Sequence, residues 1–417
     1  MNSKILLVAI LLVSSIVLVP NLVFSKGNSS KDSANIVKKY DITKNCATNQ
    51  DTDNHPLNPM TYLTYFSCGH VSQLENGTTL RQFTMIIHED HKVPVTMGNL
   101  DTKTPPIMYT AWTFNSSIPA PTIRMTEGDH ISIKVVNLKQ NKLPHSFHMH
   151  SIHAGSLDGT MFNNQSGTIN PGQSFAYNFT ANPVGLWPFH CHMMPLALHV
   201  VKGLYGHMII DPPANQARPL MHEMNMILNG YDLTITPETE LPRLPTAQEA
   251  NVMMSGNDTR AENASESLPQ ERDNQVYSAN GIAFYYDVHP IPIALNEPYR
   301  LYLTNMLDFD FSNTFHLHGQ VFKVYPAGTE NPETRSRDTT TPLMTHDIIS
   351  MAQGDRAILE WQYDKPGLYM IHSHFESQSG RGWEGLLSVK SHQAVEVVHT
   401  NPVAPATSIR PPLTPPT

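Results

Sequence analysis

The chain has 417 residues, 40% of them hydrophobic and 15% charged, and a formal net charge of −9. That length exceeds most single cores and implies two or three domains, with enough apolar residues to fill them. The acidic balance argues against a nucleic-acid or anionic-membrane partner.

At the N-terminus Lys4 precedes an apolar run from Ile5 to about Phe24, broken by Ser14, Ser15 and Pro20. Residues 1–25 fit a secretory signal or a single N-terminal membrane anchor. The expected location is therefore extracytoplasmic, either secreted or held at the cell surface. Seven Asn-x-Ser/Thr sequons, at Asn28, Asn76, Asn115, Asn164, Asn178, Asn257 and Asn263, agree with export. Residues 26–77 read as a polar extension. The chain holds three cysteines. Cys46 and Cys68 suit one disulfide outside the cytoplasm. Cys191 is then left without a partner and needs another explanation.

Strand signals fill residues 78–212, with turns at Glu127-Gly128-Asp129 and at Asn182-Pro183 and no long helical periodicity. Residues 213–392 repeat that block. "YRLYLTNMLDFDFSNTFHLHGQVFKVYPAG" parallels "ISIKVVNLKQNKLPHSFHMHSIHAG", and "AILEWQYDKPGLYMIHSHFE" parallels "SFAYNFTANPVGLWPFHCHM", at an offset of about 170 to 180 residues. The fold class is all-β, and the chain is a duplicated β domain. A polar, Pro-punctuated loop occupies about 235–275, and a Pro-rich tail occupies 393–417.

The 22 histidines cluster. Four His-x-His pairs stand at equivalent places in the two blocks: His148/His150, His190/His192, His316/His318 and His372/His374. Residues i and i+2 of a strand share a face, so each pair offers two imidazoles to one side. A single pair is compatible with an ordinary polar strand face; four at matched positions point to a metal cluster. Structural zinc sites close with about four ligands and favour closely spaced cysteines, which are absent here. Three copper ions with two or three ligands each consume about eight imidazoles.

Strand parity turns Cys191 away from His190 and His192. It likewise turns His145 away from His148 and His150. Cys191, His145 and His199 then form the two-imidazole, one-thiolate set of a blue electron-transfer copper. Leu204 would leave the axial place without a ligand; Met193 and Met194 are the alternatives. Asp158, in "HAGSLDG", and Glu376, just after His374, are candidates for proton delivery. Read blandly, they are a turn aspartate and a solvated glutamate.

These motifs resemble the multicopper oxidases. "HSFHMH", "HCH", "FHLHGQVF" and "IHSHFESQSGRGWEG" match the family's four copper motifs, and "AWTFNSSIPAPTIRMTEGD" resembles its first-domain signature. The resemblance covers roughly residues 80–392. It implies two cupredoxin-like Greek-key β-sandwich domains of the two-domain laccase class. It also implies four copper ions per subunit: a type 1 copper at His145, Cys191 and His199, a type 2 copper at His148 and His316, and a type 3 pair at His150, His190, His192, His318, His372 and His374. A reducing substrate (phenol-like, a metal ion or a small redox protein) would supply electrons, O2 would be reduced to water, and the cluster would lie at the subunit interfaces of a homotrimer. The related copper nitrite reductases are the rival. The eight-residue step from Cys191 to His199 resembles theirs, but their catalytic copper uses three histidines, here His150, His190 and His374 by position. A copper-storage protein would explain the His pairs without explaining the Cys191 set.

Overall fold

The computed structural model describes residues 46–47, 57–98, 103–150, 155–160, 167–194, 196–234, 273–328 and 341–391. The N-terminal apolar segment, much of the polar extension, most of the loop at 235–275 and the Pro-rich tail lie outside them.

The first half contributes β1 (Cys46–Ala47), β2 (Phe66–Ser67), β3 (His70–Gln73), β4 (Thr79–Pro94), β5 (Met108–Phe114) and β6 (Ile123–Thr126). It continues with β7 (His130–Asn137), β8 (His148–Met149), β9 (Ser174–Thr180), β10 (Gly185–His190) and β11 (Tyr205–Asp211). One sheet runs β1-β2-β6-β11-β10-β8; the other runs β3-β4-β7-β9, with β5 paired to β4. In β4, Phe83, Met85 and Ile87 alternate inward at the two-residue period of a half-buried strand. They join Ile131, Ile133 and Val135 of β7 and Met208 and Ile210 of β11 in the first core.

The second half contributes β12 (His222–Tyr231), β13 (Val276–Ala279), β14 (His289–Ala294), β15 (Pro298–Asn305), β16 (Asn313–Leu317) and β17 (Phe322–Tyr325). It ends with β18 (Met344–His346), β19 (Ile348–Met351), β20 (Arg356–Gln362), β21 (Gly367–His372) and β22 (Glu384–Lys390). These form the sheets β13-β12-β15-β20-β17-β18 and β14-β22-β21-β16-β19 around a core that includes Leu301, Leu303, Phe315, Leu359 and Trp383. The all-β, cupredoxin-like double sandwich expected from the sequence is the architecture found.

Among the described residues, four α-helices of four to six residues interrupt the strands: α1 (Pro59–Thr64), α2 (Leu196–Val201), α3 (Tyr285–Val288) and α4 (Glu376–Ser379). Asn58 caps α1 by accepting the Thr61 N–H at 2.8 Å, and Pro59 opens its first turn.

The two sandwiches share apolar and polar contacts. Tyr62, Val93, Tyr109, Ile118, Val200 and Tyr205 pack with Ile227, Tyr231, Ala283 and Met306. Arg124 of β6 donates to Asp211 at 2.6 Å and to Glu223 of β12 at 2.6 Å, while Arg300 of β15 donates to Glu223 at 3.3 Å and reaches Glu360 at 2.6 Å. Tyr302 completes this buried network by donating to Glu223 at 2.8 Å. Because each charge has partners, burial of the set is tolerated, but removing one member strands the others.

Cys68 is disulfide-bonded and Cys191 carries a free, buried thiol. The backbone sets Cys46 beside Phe66 through the β1–β2 pairing; the Cys46 side chain lies outside the described atoms. Of the sequon asparagines among the described residues, Asn76 and Asn178 are exposed. Asn115 is buried and its amide donates to the Thr84 carbonyl at 3.0 Å, so it is unavailable for glycosylation in the folded chain.

Candidate metal centre

The sequence places Cys191 at the end of β10, where the strand turns. Its side chain enters the first core, and all of its surface is covered. His145 precedes β8 and is fixed by reciprocal backbone bonds with Ile169. His199 sits on α2, an element the sequence reading did not contain. Together the three residues offer Nδ1, Sγ and Nδ1 atoms within 4.8 Å of one another. His199 Nδ1 is 3.1 Å from Cys191 Sγ, His145 Nδ1 is 3.7 Å from it, and the two Nδ1 atoms are 3.2 Å apart. The Ser146 N–H donates to Cys191 Sγ at 3.4 Å. Trp112 meets both imidazoles edge-on, with ring centroids at 5.5 Å from His145 and 4.9 Å from His199.

Electrostatics favour a thiolate. Burial opposes ionisation of Cys191, but His199 and His145 outweigh it and hold the thiol well below its ordinary range. Burial likewise pushes His145 down, and hydrogen bonds to Cys191 and Glu89 overcome that and lift it to about 9. Leu204 is fully buried in the same core and its carbonyl accepts the Cys191 N–H at 3.0 Å. Met193 is also buried there, with Sδ accepting from Thr168 at 3.8 Å, whereas Met194 is exposed.

On the other side of this strand turn lie His148, His150, His190 and His192. His148 pairs with His190 across β8 and β10. His316 pairs with His372 across β16 and β21 in the same way. The duplication seen in the sequence is thus a duplication of register. Ring centroids within the first quartet stand at 5.1 Å for His148–His190 and 4.8 Å for His148–His192. In the second they stand at 5.2 Å for His316–His372 and 5.4 Å for His316–His374.

The protonation pattern repeats as well. His148 Nδ1 donates to the Asp158 carbonyl at 2.9 Å and His316 Nδ1 to the Asp347 carbonyl at 2.8 Å. His190 Nδ1 donates to the Cys191 carbonyl at 3.0 Å and His372 Nδ1 to the Ser373 carbonyl at 2.6 Å. A neutral imidazole that donates from Nδ1 keeps a lone pair on Nε2. The Nε2 atoms of His150 and His190 lie 3.1 Å apart, and those of His318 and His372 lie 2.9 Å apart. Each of these contacts requires a proton or a cation between the two nitrogens. Burial, and then the neighbouring His148, His150 and His192, keep His190 low, at about 3, so it stays neutral. The buried Nδ1 of His192 has no hydrogen-bond partner. Neutral, convergent and partly orphaned nitrogen donors fit a transition metal.

The quartets differ in exposure. His190 is buried, whereas His318 and His374 are exposed. The second quartet borders an open cleft of about 500 Å³ lined by His316, His318, Gln320, Val321 and Asp347. His150 lies near the second sandwich at Gly354, where an added Cβ would stand 3.7 Å from its Cε1.

Asp158 Oδ1 stands 3.2 Å from His148 Nδ1. Glu376 begins α4 with its side chain exposed, two residues after His374. The sequence reading missed two residues. Asp347 is the counterpart of Asp158 in the second repeat, hidden because it lies 31 residues from His316. Glu89 accepts from His145 Nε2 at 2.8 Å. Its signal was present: Phe83, Met85, Ile87 and Glu89 share one strand parity, and a carboxylate on that apolar face needs a partner.

Two profiles described as multicopper oxidase match residues 96–215 and 243–393. A solved multicopper oxidase structure is 32% identical, with a TM-score of 0.64, covering 80% of this chain and 97% of the other. The chain belongs to the multicopper oxidase family. Its curated relatives include the copper-containing nitrite reductase of Neisseria meningitidis serogroup A, 23% identical over 70% of this chain and 67% of that protein. They also include the L-ascorbate oxidase of Cucurbita maxima, 35% identical over 28% of this chain and 20% of that protein. As a multicopper oxidase the chain is a copper-dependent oxidoreductase, and the thiolate–imidazole and all-imidazole donor sets suit that metal.

Proposed function

We propose that this multicopper oxidase removes single electrons from a reducing substrate at the Cys191 site and reduces O2 to water at sites built from the two histidine quartets. The observation that carries the reading is the matched register of His148 with His190 and of His316 with His372. It yields eight imidazoles, more than one catalytic copper uses and the number that three copper ions consume.

Bound copper supplies one-electron transfer at the Cys191 site and reduction of O2 at the imidazole sites. His145, Cys191 and His199 would hold one ion, beside the buried, non-ligating Leu204. His148 and His316 would hold a second. His150, His190, His192, His318, His372 and His374 would hold two more, for four per subunit. Cys191 is covalently joined to His190 and His192, so a path of bonded atoms would link the two kinds of site. Asp158 Oδ1, 3.2 Å from His148 Nδ1 and partly exposed, would relay protons between solvent and the first quartet. Glu376 serves the second quartet from the surface.

Each quartet is half of a cluster. The open second quartet supports completion by the first quartet of another copy, which in a closed ring gives a homotrimer. The N-terminal apolar segment supports an extracytoplasmic location. Reduction of nitrite to nitric oxide is the second reading, supported by the eight-residue interval from Cys191 to His199 and by the nitrite reductase relatives. Oxygen-electrode and nitric-oxide measurements on the copper-loaded protein decide between them. Uptake of one O2 per four electrons from a one-electron donor, with no peroxide, is expected. Nitric oxide from nitrite without O2 uptake would overturn the oxidase reading.

A further inference from the structure

Glu89 is a carboxylate with 5% of its side chain exposed, and it stands directly behind a ring of the Cys191 site. Its Oε1 accepts from His145 Nε2 at 2.8 Å and from the Leu143 N–H at 3.0 Å, and its Oε2 accepts from the Lys142 N–H at 2.8 Å. Its own N–H donates to Asn141 Oδ1 at 3.1 Å. The β4–β5 register shifts between His88 and His91, and Asp90 takes a positive φ of 57°. This bulge interrupts β4 just where Glu89 turns inward, a common way to aim one side chain. His199, the other imidazole of the set, has no hydrogen-bond partner at its Nε2. The two rings therefore present unequal donors.

We propose that Glu89 is a positioning residue for the Cys191 site: it fixes the His145 ring through Nε2–H and biases the bound copper toward its oxidised form. The proposal rests on the assignment of His145, Cys191 and His199 as copper donors. A carboxylate that accepts from a ligating imidazole orients the ring and raises its basicity. Its negative charge, in a poorly screened interior, stabilises the higher charge on the metal. The bonds to Lys142 and Leu143 also clamp the loop before His145, so a loss of stability alone would say nothing about redox bias.

The test is the reduction potential of the Cys191 site in the copper-loaded wild type and in Glu89→Gln, which keeps an oxygen acceptor and removes the charge. The expected result is a higher potential in the variant, with the oxidised-to-reduced equilibrium shifted about tenfold, or about 59 mV for one electron. An unchanged or lower potential in a folded, coloured variant overturns the proposal alone. A wild type without thiolate-to-copper visible absorption brings down the donor assignment, and the proposal with it. Should Glu89→Gln not fold, pulsed EPR of the wild type gives a second reading through the remote ring nitrogens of the two histidines. Two distinct quadrupole couplings support the unequal donors, and two equal couplings overturn them.

Discussion

His145, His199, His190 and His207 are the same side chain in four environments, and environment alone separates their roles. His145 contacts a carboxylate, the Cys191 sulfur and His199; His199 contacts that sulfur and His145 but no carboxylate; and His190 contacts a carbonyl and another imidazole. His207 is fully buried, with Nδ1 against Thr304 at 2.9 Å and Nε2 without a partner. Burial lowers His207 from 6.5 to about 3. The unfolded chain therefore takes up the proton first as pH falls, so its contribution to stability is intact above pH 6.5 and declines between pH 6.5 and about 3. The decline is about 1.4 kcal/mol per pH unit. Chemical denaturation across that window is expected to show a shallower loss in His207→Gln than in the wild type; parallel slopes would contradict it. At this scale the sequence was legible where residues recur in a pattern, as the His pairs do. It was less so for Glu89, whose signal was a single charged residue in an apolar phase.

Among the elements, the junction from β10 to β11 decides the geometry of the Cys191 site. Cys191 lies in the first core while His190 and His192 face His148, in keeping with two-residue alternation carried past the end of β10. Parity was silent about the step to His199. "LALHVV" is apolar throughout and too short to reveal a helical period, so α2 could not be distinguished from a strand. That helix accounts for the eight-residue interval. Gly203 then turns the chain back into β11 with φ of 114°, and a Cβ there would fall 2.2 Å from Ile118 Cδ1 and 2.9 Å from the Trp112 carbonyl oxygen. The conformation and the close approach both require glycine. Gly203→Ala is expected to cost about 1–3 kcal/mol in denaturant unfolding and to perturb the visible spectrum, since His199 and Leu204 flank the turn. Wild-type stability and spectrum in the variant would contradict that account.

In the whole molecule, internal duplication carried most of what could be read in advance. Two repeats with equivalent His pairs implied two sandwiches, and the structure adds that the pairs share one register and one set of carbonyl partners. The polar contact that joins the sandwiches, Glu223 with Arg124, was not legible, because its members lie 99 residues apart and follow no local pattern. The proposed division of labour gives the Cys191 thiolate to one metal and its two neighbouring residues to others. Copper content and visible absorption of Cys191→Ser, prepared alongside the wild type, test it most directly. Four copper ions per chain and an intense visible band are expected in the wild type, with loss of one ion, the band and donor oxidation in the variant. Loss of all copper in the variant, or a band that persists, would contradict it.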